Sequence, residues 1–159
     1  MSLQVAKRFG ILTLAALMVA QGLALPQDRA GVAQASGEEI SQKLAQAEGL
    51  HDLAILYMRT REMEKALETS RQIIHLRLPP DYLKNVAASL SIITEKFAEN
   101  RRFDLGRTVI EEALRAAELE PIYGRLHRSM ARLCMRAGDD DCAIQHWRRA
   151  LEIDGPADH

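Results

Sequence analysis

The chain has 159 residues, of which 47% are hydrophobic and 27% charged, and its formal net charge is −1. This apolar content is too high for a disordered chain, and the balanced charge gives no reason to expect binding to nucleic acid or to a membrane surface. Good helix formers (Ala, Leu, Glu, Arg) are abundant and no stretch alternates apolar with polar residues, so we predict an all-α fold.

The N-terminus carries the pattern of a secretory leader. Lys7 and Arg8 precede an apolar run over residues 9–20, and the small residues Gly22 and Ala24 follow it. This order predicts a signal peptide over residues 1–24 and export to the periplasm or the medium. Because the run approaches the length that spans a bilayer, the alternative is an uncleaved inner-membrane anchor over residues 9–25.

Residues 25–37 are rich in Pro, Gln, Asp, Ala, Gly and Ser without periodicity, which predicts a flexible linker. Ser36 and Glu39 then form a capping-box signature for a first helix, and we expect Gly49 to break that helix. The rest of the chain reads as helices joined by short turns, with punctuation at Pro79 and Pro121. The predicted helices cover residues 38–48, 50–60, 62–77, 81–100, 103–119, 122–137 and 140–154.

Three stretches share the pattern of a helical hairpin whose two helices approach closely. The last has a turn at Gly138 and Asp139, and Gly155 and Pro156 stop its second helix. The small residue that opens each second helix is Ala66, then Gly106, then Ala143, in steps of 40 and 37 residues. One hairpin cannot bury its own apolar face, so we expect the three hairpins to stack.

This pattern resembles the tetratricopeptide repeat, a helical hairpin of about 34 residues with small and aromatic residues at fixed places. The resemblance divides a helical domain at 38–156 into repeats at about 47–80, 87–121 and 124–156. It implies a right-handed superhelix of stacked antiparallel hairpins with a concave groove that binds other proteins. It also implies a repeat core made by Leu53, Ala54, Tyr57, Ala66, Phe97, Gly106, Ala131, Ala143, Trp147 and Ala150.

The sequence offers no constellation for catalysis, a cofactor or a metal. It lacks a Gly-rich phosphate loop and the common hydrolase and metalloprotease motifs. The five histidines are scattered and none lies three or four residues from another histidine, so we interpret His127 as a packing residue. The acidic run Asp139–Asp141 is explained by helix capping. We therefore predict that the protein is not an enzyme.

The two cysteines flank the last turn. Cys134 closes the first helix of the final hairpin and Cys142 opens the second. An oxidising compartment allows a disulfide between them. We expect two buried free thiols instead, because Cα separations between helices often exceed disulfide reach.

Four arginines step by three, four and four residues and so share one face of a single helix: Arg125, Arg128, Arg132 and Arg136. The resemblance places this face in the concave groove, which predicts a protein or peptide partner with acidic residues or a free C-terminal carboxylate. The competing interpretation is a structural network in which Glu95 and Glu99 pair with Arg128 and Arg132.

The sequence bears on three classes of function. A binding or scaffold module of the cell envelope fits best, and a permanent structural or assembly subunit of a membrane-associated complex is the alternative. An enzyme fits least. The last helix ends close to the C-terminus, so Ile144, Leu151 and Ile153 should be incompletely covered, which predicts a homo-oligomer or a docked partner there. Nucleic acid is not an expected partner, and a membrane is one only through an uncleaved N-terminal segment.

Overall fold

A computed structural model describes the backbone of residues 27–155 and the side chains of residues 37–155. Over this range the protein is all α-helical and has no strand, as predicted. The expected signal peptide or anchor lies outside the described residues. The helices are α1 (Gln27–Arg59), α2 (Met63–Ile74), α3 (Leu83–Glu99), α4 (Phe103–Arg115), α5 (Tyr123–Ala137) and α6 (Asp140–Asp154), with 3₁₀ helices at Pro80–Tyr82 and Ala117–Ile122.

The first helix is longer than the sequence suggested. It begins at Gln27, inside the expected linker, and continues through Gly49, so the predicted break at Gly49 is wrong. A glycine inside a helix costs only about 1 kcal/mol relative to alanine, and Gly49 does not adopt the positive φ of a helix-ending glycine. Leu50 packs against the core on the C-terminal side of Gly49, and Ala54 beyond it is fully buried. Continued packing therefore outweighs the local cost.

Three turns of the same geometry close the three hairpins. Arg61, Arg101 and Gly138 each adopt a positive φ, of 67°, 59° and 77°, just after the first helix of a hairpin. In each turn the next amide donates to a carbonyl five residues back, as in a Schellman motif: Glu62 to Tyr57 (2.8 Å), Arg102 to Phe97 (2.9 Å) and Asp139 to Cys134 (2.9 Å). The turns are spaced by 40 and 37 residues, which matches the repeat spacing read from the sequence.

The hairpins pack side by side in two layers. The first helices neighbour one another in the order α1, α3, α5, while α2 packs against α4 on the other side. The Arg71 guanidinium on α2 donates to both carboxylate oxygens of Glu112 on α4, at 2.7–3.1 Å. Each hairpin therefore buries part of its surface against the neighbouring hairpin.

Most of the predicted repeat core is buried. The fully or nearly buried members are Ala54, Ala66, Phe97, Gly106, Ala131, Ala143 and Ala150. Tyr57 and Trp147 are partly buried. Leu53 is 37% exposed and was wrongly assigned to the core. Ala54 and Met58, four residues apart, face the neighbouring helices, and Leu53 is rotated away from them by one helical position.

Gly106 marks a close approach between helices. A Cβ placed there would lie 3.2 Å from Leu133 Cδ1 on α5 and 3.4 Å from Thr94 Cγ2 on α3. The absence of a side chain therefore lets α4 pack tightly against both first helices, as expected of the small residue that opens each second helix.

The predicted ends of two of the three second helices, α2 and α4, were too late, whereas α6 ends at Asp154 as predicted. Helix α2 ends at Ile74, and Arg77 then adopts a positive φ of 49° ahead of Pro79. Helix α4 ends at Arg115, because Ala116 is extended and starts the 3₁₀ helix that contains Pro121. None of the helices between residues 27 and 155 combines the length and apolar content needed to cross a membrane.

A disulfide joins α5 to α6. Cys134 and Cys142 are bonded, with their Cα atoms 5.8 Å apart, so the expectation of two free thiols is wrong. The tight turn at Gly138 and Asp139 brings the facing ends of the two helices within disulfide reach, which typical helix-to-helix distances do not.

Candidate functional site

The four arginines lie along α5, on the side turned away from the core. Arg125, Arg132 and Arg136 are exposed and Arg128 is partly buried. The opposite side of α5 contributes Leu126, Met130 and Leu133 to the core. The helical spacing read from the sequence therefore places this stripe correctly on one solvent face.

A groove separates this stripe from α3. We call it the arginine groove: it holds about 160 Å³ and is lined by Arg125, Arg128, Ser129 and Arg132 from α5 and by Ala87, Ala88 and Ser91 from α3. A narrower crevice of about 30 Å³ continues it towards Glu95 and Arg136. Because the α3 side chains that line the groove are small, the space beside the arginine side chains of α5 stays open.

The ion pairs around the arginine groove differ from those expected. Arg136 donates to Glu95 at 3.0 Å, and Arg128 pairs with Asp154 at the end of α6. Glu99 instead accepts from Lys96, at 2.8 Å. The predicted pairs of Glu95 and Glu99 with Arg128 and Arg132 are therefore not formed.

Two arginines are left without a carboxylate. Within residues 37–155, neither Arg125 nor Arg132 forms an ion pair, and both line the arginine groove. An exposed arginine needs no partner for solubility, but two of them beside a concave surface form a site that favours an anion.

A second concavity lies on the other side of α3. This apolar cavity, between α1 and α3, holds about 590 Å³, and its lining includes Leu44, Ile73, Leu78, Val86 and Ile92. His51 Nδ1 and Ser89 Oγ are hydrogen-bonded across it at 2.8 Å. This cavity could not be predicted from the sequence, because α1, α2 and α3 each supply part of its wall.

Two histidines meet between α5 and α6. His127 Nδ1 lies 2.8 Å from His146 Nδ1, so at most one of these two nitrogens carries a proton. Burial lowers the pKa of His127, and the charges of His146 and Arg149 lower it further. Burial and Arg107 also lower the pKa of His146, although Glu111 opposes them. His127 is partly buried between α5 and α6, beside a polar partner that the sequence did not reveal.

The spacing of the histidines and cysteines in the sequence is consistent with the contact between His127 and His146. His127 and Cys134 are seven residues apart on α5, and Cys142 and His146 are four apart on α6, so each pair shares a helix face. Joining the two cysteines therefore turns the two histidines towards the same contact. Among the described side chains, no cluster of three or more His, Cys, Asp or Glu residues has metal-binding geometry.

The histidine pair predicts a loss of stability in mild acid. Because both pKa values are lowered on folding, the unfolded chain binds protons more readily, and the free energy of unfolding should fall as the pH drops below about 6.5. The carboxylates with lowered pKa, such as Glu112 and Asp104, act only in more acidic solution. Urea unfolding between pH 7.5 and 5 measures the effect.

The matched control is the double change His127→Gln and His146→Gln, which keeps polar side chains at both places. Its stability should vary less between pH 7.5 and 5 than that of the unchanged chain. Equal slopes for the two proteins would contradict the assignment.

No protein-family model matches this chain, and comparison with curated proteins and with solved structures found no significant match. The tetratricopeptide resemblance therefore stays a prediction that rests on the residues and the repeated turns.

Proposed function

We propose that this protein is a binding module that holds an acidic segment of another protein on the face formed by α1, α3 and α5. The observation that carries the proposal is the arginine groove, in which Arg125 and Arg132 face a concave surface without a carboxylate partner among residues 37–155. Arginine suits this task, since its planar guanidinium can hold a carboxylate through two parallel hydrogen bonds.

The architecture proposed for this module is a tetratricopeptide-like superhelix acting in the cell envelope. The three matching turns and the side-by-side order of α1, α3 and α5 support the repeat architecture. The N-terminal apolar run supports export, and the Cys134–Cys142 disulfide is consistent with an oxidising compartment. In such a superhelix the first helices line the binding surface, which is the face that carries the arginines.

A pair of short synthetic peptides tests the proposal. One alternates glutamate with glycine over six residues and has blocked ends; the other has glutamine in place of glutamate. The full chain should bind the glutamate peptide with micromolar affinity that weakens as salt is added, and the glutamine peptide at least about tenfold less tightly. Fluorescence anisotropy of the labelled peptides measures both.

Charge reversal identifies the residues responsible. Arg125→Glu with Arg132→Glu should weaken glutamate-peptide binding at least about tenfold and leave the melting temperature nearly unchanged, because neither side chain forms an ion pair with the described residues 37–155. The matched control is Arg59→Glu with Arg148→Glu, two exposed arginines outside the groove that give the same change in net charge. If both double variants weaken binding equally, the effect is one of total charge and the groove is not the site.

The exposed face of α6 favours a second candidate, a permanent assembly subunit. Ile144, Leu151 and Ile153 are 50%, 66% and 40% exposed, consistent with the expected incomplete cover. Ile144 and Leu151, seven residues apart on one side of α6, form an apolar patch that suits self-association or docking to a complex. Sedimentation of the full chain should then show a dimer that dissociates on changing Ile144→Glu and Leu151→Glu. A monomer at high concentration, in the presence and absence of these changes, would remove this candidate.

A further inference from the structure

The apolar cavity and the arginine groove lie on the same face of the protein, on opposite sides of α3. The cavity is bounded by α1 and α3, and the groove by α3 and α5. Both occupy the N-terminal half of α3, since Asn85, Ser89 and Ile92 line the cavity and Ala87, Ala88 and Ser91 line the groove. A ligand held in the groove could therefore reach the cavity by crossing α3.

The exposed side of α3 between the two sites is lowest at Ala88. Asn85, Ala88 and Ile92 form its exposed ridge, spaced by three and four residues. Ala88, in the middle, is exposed and carries only a methyl group, so a peptide backbone can pass over it. Ile92 is 46% exposed and lines the cavity, which offers an apolar contact next to this passage.

We propose that the bound segment is bipartite: a bulky apolar side chain enters the cavity between α1 and α3, and acidic residues farther along the same chain pair with Arg125 and Arg132. The inference rests on the proposed function and adds the second anchor and the spacing. Charge decides which part of the segment lies at which site, because Glu48 borders the cavity and repels carboxylates there, while the arginines attract them in the groove.

The spacing between the anchors follows from helix packing. Neighbouring helix axes lie about 8–10 Å apart, so the distance from the middle of the α1–α3 cavity to α5 is about 12–15 Å. An extended chain advances about 3.3 Å per residue, so the apolar residue and the first acidic residue should be about four positions apart. A separation of two positions, about 7 Å, is too short to reach both sites.

A set of peptides with blocked ends measures this separation. Each carries one leucine and a glutamate pair, joined by Gly-Ser spacers that place the first glutamate two, four or eight positions after the leucine. The four-position peptide should bind the full chain at least tenfold more tightly than the two-position peptide. The eight-position peptide should lose about threefold, because effective concentration falls with roughly the three-halves power of linker length.

Two substitutions test the passage over α3 and the apolar anchor, and a third is a matched control. Ala88→Trp raises the ridge and should reduce binding of the four-position peptide to that of a peptide with alanine in place of leucine. Gln72→Trp, on the exposed face of α2, is the matched control and should change nothing. Ile92→Asp should act like Ala88→Trp, because it places a charge at the apolar anchor.

The outcomes distinguish this inference from the proposed function. If binding depends on Arg125 and Arg132 but shows neither a spacing optimum nor sensitivity to Ala88→Trp, the bipartite segment is wrong and the acidic-segment function stands. If the arginine reversals have no effect, both fail. A dimer that dissociates on Ile92→Asp, or a gain in peptide binding on removing residues 1–26, would show that the cavity has another occupant and would also overturn the inference.

Discussion

Replacing Phe97 by alanine is expected to lower the free energy of unfolding by about 3–5 kcal/mol. Phe97 is fully buried near the end of α3, in the central hairpin, where it is part of the continuous hydrophobic core. Deleting a buried ring removes apolar burial and leaves a cavity that close-packed helices refill only in part. The loss is a large share of the 5–15 kcal/mol that stabilises a typical domain.

Urea denaturation followed by circular dichroism measures this change. Leu56→Ala is the control, since Leu56 is a large apolar side chain on α1 that is 50% exposed. The control should cost less than about 1 kcal/mol, because little of its surface is removed from water on folding. A loss below about 1 kcal/mol for Phe97→Ala itself would contradict the packing of the central hairpin.

The positions of the three hairpins along the chain could be predicted, because each is marked by residues close together in the sequence. A small residue must open each second helix where the helices approach, and Ala66, Gly106 and Ala143 meet that need at the spacing of the three turns. The length of α1 could not be predicted in the same way. Gly49 weakens the helix locally, and only the packing of Leu50 and Ala54 against the neighbouring helices decides that it continues.

The arginine face was predictable, whereas its partners were not. Steps of three and four residues fix which side chains share a helix face. Which carboxylate each arginine meets depends on contacts between helices. Arg128 pairs with Asp154 because the returning α6 ends beside the start of α5, where Asp154 also covers Gly124. The apolar cavity escaped prediction for the same reason: α1, α2 and α3 each supply part of its wall.

Breaking the Cys134–Cys142 disulfide is expected to lower the free energy of unfolding by about 2–3 kcal/mol. The bond closes a short loop, with a sequence separation of 8, and thereby restricts the unfolded chain. It also joins α5 to a helix with little core of its own, since the buried residues of α6 are Ala143 and Ala150. Two alanines and the partly buried Trp147 are a small apolar face, so the disulfide is expected to contribute substantially to holding α6 against α5.

The loss should therefore be concentrated in α6. Hydrogen exchange with and without a phosphine reductant should show faster exchange of the α6 amides after reduction, and little change in α1 and α2, which form the first hairpin and pack away from α5 and α6. The double variant Cys134→Ser and Cys142→Ser is the control: it should exchange at the reduced rate in both conditions. If thiol titration of the denatured, unreduced chain finds two free thiols, the bond is absent. If reduction is complete and α6 exchanges as before, Ala143, Ala150 and the ion pair of Asp154 with Arg128 hold this helix without the disulfide.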